Sequence, residues 1–125
     1  MARKLKTVVV YRGDTWIRNW SITKKTDGVP VDFTGAVARL QVKTDVENEA
    51  AVIEATTVDG DNLYFVEPLT SGSLRLEMSA EKTALLIPHT RYVFDIEVTF
   101  PNGFVKTYEK ALLEIEPDCT RTPAP

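Results

Sequence analysis

His89 and Cys119 are the only histidine and the only cysteine in the 125-residue sequence, so proton-relay or thiolate chemistry would have to run through them. A nucleophile needs its base within hydrogen-bond reach. Predicted strands separate this pair, and His89 follows Pro88 in a loop, the setting of an ordinary exposed histidine. One His and one Cys also fall short of the four ligands a zinc site takes. Asp59-Gly60-Asp61-Asn62 offers oxygens to calcium but lacks the spacing and the distal bidentate Glu of the helix-flanked calcium loop, and reads as a turn. Arg12-Gly13-Asp14 matches a cell-adhesion tripeptide and Asn19-Trp20-Ser21 a glycosylation acceptor. Both are short enough to arise by chance, one between two strands and one inside a strand. No glycine-rich loop suited to phosphate is present. We therefore expect no catalytic residue, no cofactor, no metal and no enzyme.

Trp16, Trp20 and Tyr64 would serve a carbohydrate- or host-surface-binding module if they formed an exposed platform. Apolar area of that size is rarely left in water, so both tryptophans are expected in the core. The net charge is −3, which argues against a general affinity for nucleic acid. The charge is unevenly spread along the chain. Through Lys25, seven basic residues (Arg3, Lys4, Lys6, Arg12, Arg18, Lys24 and Lys25) stand against Asp14 alone. Either basic and acidic strands meet across a ladder, or oppositely charged faces steer the chain onto neighbours.

The elements that would position these residues are strands. Ala36, Ala38, Leu40 and Val42 alternate with Arg39, Gln41 and Lys43; Tyr92, Phe94, Ile96, Val98 and Phe100 alternate with Val93, Asp95, Glu97 and Thr99. This period of two marks strands with one dry face. Further strands are expected over Leu5–Tyr11, Trp16–Thr23, Ala51–Thr57, Leu63–Val66 and Ser73–Met78. Asn102-Gly103 predicts a two-residue hairpin into a return strand from Phe104 to about Glu109. A separate last strand carries Ala111, Leu113 and Ile115. Ser79 caps one short helix of about two turns that Pro88 stops. Turn signals about every ten residues suit a β-sandwich. The expectation is all-β, with about 7–9 strands and one short helix: a single domain over residues 1–118 and an extended tail over 119–125. Three valines in a row are far too few for a membrane span.

Two stretches resemble small virion proteins of tailed bacteriophages and prophages. The first is Gly13-Asp14-Thr15-Trp16 followed by Asp27-Gly28-Val29-Pro30-Val31-Asp32-Phe33-Thr34-Gly35. The second is Ser79-Ala80-Glu81-Lys82-Thr83, then Tyr92-Val93-Phe94-Asp95-Ile96-Glu97 and the Asn102-Gly103 turn. The resemblance is to the N-terminal immunoglobulin-like module of phage baseplate upper proteins. It implies an immunoglobulin-like β-sandwich made in the host cytoplasm and carried in the virion. The implied role is a structural tail, baseplate or collar adaptor. Its implied partners are other virion proteins (tail hub, fibre or baseplate components) and further copies of itself in a symmetric assembly, with no nucleic acid and no membrane. A capsid decoration protein is the alternative.

Two grips onto neighbours are expected. Val8 and Val10 would form the outward row of the first strand, beside Arg12, and the unpaired edge of that strand would accept a partner. Thr120 and Arg121 would lie in a tail laid across an adjacent subunit.

Overall fold

A computed structural model describes residues 5–44 and 50–118. Among these described residues eight strands form: β1 Thr7–Tyr11, β2 Trp16–Ser21, β3 Val37–Lys43, β4 Ile53–Thr56, β5 Leu63–Phe65, β6 Ser73–Met78, β7 Arg91–Thr99 and β8 Val105–Glu116. A five-stranded sheet, in the order β1-β8-β7-β3-β4, faces a three-stranded sheet, β2-β6-β5. β1 runs parallel to β8, and the other ladders are antiparallel. This is an immunoglobulin-like sandwich: β2-β6-β5 form one face, β8-β7-β3 the other, and the first strand sits on the outer edge of the last.

The inward rows are the ones that alternation selects. Ala38, Leu40 and Val42 of β3 meet Phe94, Ile96 and Val98 of β7, all essentially without exposure. Two contacts tie β2 and the loop after β6 to β7. Trp16 lies edge-on to Phe94, with centroids 5.1 Å apart. The Ile87 amide donates to the Tyr92 hydroxyl at 2.9 Å. A tyrosine bonded upstream at the start of this strand, two residues ahead of the inter-sheet contact, is the immunoglobulin tyrosine corner. Where antibody domains place a disulfide between these strands, this chain places Trp16 against Phe94.

Three local expectations change. The return strand and the last strand are one, Val105–Glu116, broken by a bulge. Ile96 faces Glu109 whereas Glu97 faces Thr107, so Tyr108 is an extra residue. The extra residue shifts the inward parity from Ala111, Leu113 and Ile115 to Tyr108, which makes one strand read as two. The hairpin loop is three residues rather than two. Pro101 presets the first position, the Asn102 side chain accepts from the Phe104 amide at 3.0 Å, and Gly103 takes φ 90°. The helix is one turn, Ala80–Thr83, with the Ser79 hydroxyl accepting from Lys82 N. It stops early because the buried Thr83 hydroxyl donates to the Asp14 carbonyl at 2.7 Å while Leu86 turns into the core.

The irregular link between β2 and β3 closes one end of the sandwich. Phe33, 1% exposed, stacks on Phe65 at 4.8 Å and lies near Phe100 and Tyr108. Gly72 lets this link pack close. A Cβ there would come within 2.3 Å of the Ile22 carbonyl oxygen, and the residue has φ 71°.

Candidate functional site

The first expected grip changes face. Val10 is 7% exposed and Val8 packs against the core, whereas Val9 and Tyr11 are 52% and 54% exposed. The reason is register: Val8 lies beside Leu113 and Val10 beside Ile115, both inward residues of β8. β1 is an edge strand of its sheet. Arg12 is engaged within the chain, its Nε donating to the Ala84 carbonyl at 3.0 Å. The Arg12-Gly13-Asp14 tripeptide is thus a turn fastened to the helix on both sides. Thr120 and Arg121 lie outside the described residues, as does Cys119.

The three aromatics of the carbohydrate-platform reading do not share a surface. Trp16 is 5% exposed. Trp20 is half-buried on the inward row, its indole N–H donating to Glu109 Oε1 at 3.0 Å. Tyr64 is on the outer face of β5, donating to Glu77 Oε1 at 2.7 Å. Arg75 donates to the same oxygen at 2.6 Å and reaches Asn19 Oδ1 at 3.0 Å. Arg75, then Tyr64, hold Glu77 below the usual carboxylate range, and Glu77 in turn raises the tyrosine. The acceptor asparagine of the glycosylation match is an exposed member of this network. The Asp59-Gly60-Asp61-Asn62 run is a turn whose Asn62 side chain accepts from the Ser79 amide at 2.9 Å. His89 is exposed, with φ 67°.

One flank of the sandwich gathers the unexplained surface. β1 pairs with β8 from Leu112 to Glu116, so β8 between Val105 and Lys110 has β7 on one side and no described strand on the other. Directly across the sandwich, β2 pairs with β6 on one side and is likewise an edge. The Ile22 amide donates to Gly72, so Trp20, Arg18 and Trp16 also aim their backbone groups at β6. The amides and carbonyls of Ile17, Asn19 and Ser21 therefore face away from it. Between these two edges lies an open groove of about 1350 Å³, floored by Trp20, Ile22, Phe100 and Tyr108. Phe104, 72% exposed, lines its rim.

Arg18 and Glu109 bridge the two sheets beneath this groove. Both guanidinium donors Nε and Nη2 reach the carboxylate, with Nε–Oε1 at 2.6 Å. The arginine also lies 5.8 Å from the centre of the Phe94 ring. Arg18 holds Glu109 below the usual carboxylate range despite the cost of burial, with Trp20 adding to the effect. Arg18, one of the N-terminal basic residues, thus meets Glu109 across the sandwich rather than along a ladder. Glu109 continues the inward row of Ala111, Leu113 and Ile115, and the bulge turns Tyr108 to the same side.

Among the described residues, no helix is long and apolar enough to cross a membrane, and no group of three His, Cys, Asp or Glu side chains is placed to hold a metal.

The architecture defines the protein class as an immunoglobulin-like β-sandwich. No family model matches the sequence, and neither does any curated protein. Among solved structures, the chain is similar to CopC from Methylosinus trichosporium OB3b at 12% identity, over 95% of this chain and 91% of that one, with a TM-score of 0.49. It is similar to murine CRIg at 8% identity, over 90% and 92% of the two chains, with a TM-score of 0.38. It is also similar to the sialic acid binding region of a Streptococcus sanguinis SK1 adhesin at 15% identity, over 92% of this chain and 29% of that one, with a TM-score of 0.38.

Proposed function

We propose that this chain is a non-enzymatic structural subunit of a tailed-phage particle, an adaptor at the tail, baseplate or collar that binds neighbouring virion proteins and sits there in several symmetric copies. The observation that carries the binding role is the open β2–β8 flank. Two strand edges face the same groove, and apolar Phe104 stands exposed at its rim. Unpaired edges and clustered apolar side chains are liabilities in a free domain and contacts in an assembly. The phage context comes from the resemblance of the Gly13–Trp16, Asp27–Gly35 and Ser79–Glu97 stretches.

Counting the chain by quantitative mass spectrometry in purified particles, relative to the major capsid protein, tests this reading. A low count matching tail symmetry supports the adaptor. A count approaching that of the capsid protein makes it a decoration protein of the head. Absence from the particle overturns the virion role.

A further inference from the structure

We infer that the β2–β8 groove is completed by an extended acidic strand from a partner polypeptide, which adds to the open edge of β2 or β8 and sets its apolar side chains on the groove floor. This rests on the binding-module reading above and names the chemistry of the partner.

In a seven-stranded immunoglobulin sandwich the sheet containing the second strand has four members, with a further strand outside the second. Here the corresponding sheet has three described strands, and β2 is its outermost. The amides of Asn19 and Ser21 face the side where no described strand lies, as do those of Val105 and Thr107, since the Phe104 carbonyl is directed at β7. A strand laid here finds main-chain partners for affinity and pockets for alternate side chains.

Charge then selects the occupant. The charged residues lining the groove are Lys24, Lys25 and Lys106 against Asp32. All three lysines are exposed. The Asp32 carboxylate is already engaged by the Thr34 hydroxyl and amide, at 2.6 and 2.9 Å. Glu109 beneath the groove is neutralised by Arg18. A strand bearing Asp or Glu on its solvent row is therefore attracted, and a basic one is repelled. The chain's own Met1–Lys4 is poorly matched in charge, because it adds Arg3 and Lys4 to an already basic rim.

The test is amide hydrogen exchange by NMR at Asn19, Ser21, Val105 and Thr107. The probes are ten-residue peptides that alternate valine with glutamate or with lysine. In the free protein these amides should exchange fast. The Glu/Val peptide should slow a set on one edge and bind at least about tenfold more tightly than the Lys/Val peptide, with the preference shrinking as salt rises. A Glu/Val peptide N-methylated on the bonding edge should fail to bind, and the Lys24→Glu, Lys25→Glu, Lys106→Glu triple variant should prefer the Lys/Val peptide. Four results would overturn the proposal. Amides already slow in the dilute monomer mean that the chain fills its own groove. Amides that slow with protein concentration mean that a second copy does. No slowing by the Glu/Val peptide, or equal binding of the N-methylated one, removes the acidic strand. The particle count is independent of all four, so either reading can fall alone.

Discussion

Trp16 and Trp20 stand four residues apart on the same inward row of β2, yet one is core and the other is a groove wall. The difference lies in what runs alongside. At the Trp16 end, β1 flanks β8 from Leu112 to Glu116, and Trp16 is sealed against Phe94. At the Trp20 end β1 has not yet joined the sheet. No described strand covers β8 there, and Trp20 satisfies its indole N–H on Glu109 with one side in the groove. A single short strand thus decides which half of the sandwich is finished and which is left open.

The finished half depends on β1 presenting the correct face, and the sharpest way to break it is on that strand. Val10→Asp would bury an unpaired carboxylate and should cost about 5 kcal/mol, enough to unfold a domain of ordinary stability. Val9→Asp, one residue away on the exposed row, should leave the midpoint of urea denaturation nearly unchanged. Equal losses for the two would mean that the inward row of β1 is misassigned.

The two tryptophans compare the halves directly. Trp16→Ala should destabilise by about 3–5 kcal/mol, because it opens a cavity against Phe94. Trp20→Ala, losing a half-buried ring and one hydrogen bond, should cost about 1–2 kcal/mol. Chemical denaturation of both variants reads the difference. If Trp20→Ala proved the more costly, the groove half would be the structural heart of the fold and a poor candidate for a docking surface.

The sandwich itself was legible because period-two alternation and turn residues are local signals. β3 and β7 show it best, with Ala38, Leu40 and Val42 and then Phe94, Ile96 and Val98 all inward. The face of β1 was not legible. Val8, Val9 and Val10 are chemically identical, so only pairing with Leu113 and Ile115 decides which of them turn inward. The Tyr108 bulge hid in the same way, because an inserted residue resets the alternation from which strands are read. The groove depends on where β1 stops relative to β8. That is a long-range register, and no local pattern encodes it. Arg18, which breaks the apolar row of β2, was the one visible trace. A charge on an inward row requires a partner, and the partner lay 91 residues away.

That pair supplies the smallest and most specific break in the comparison. Glu109→Gln keeps the size and one acceptor but leaves Arg18 without a countercharge, and should cost about 1–2 kcal/mol near neutral pH. Its pH dependence distinguishes a lost ion pair from lost packing. The folded protein holds Glu109 below its ordinary value of 4.5, through Arg18 first and Trp20 after it. A depressed carboxylate contributes stability that is fully present above the unfolded value and is lost as pH falls through the lower folded value. The gap between wild type and Glu109→Gln, measured by denaturation from pH 7 downward, should hold steady to about pH 5 and then close. A gap that persisted unchanged into strong acid would mean that the side chain acts by shape alone. The open half would then be held by packing, and the bridge between β2 and β8 would not be electrostatic.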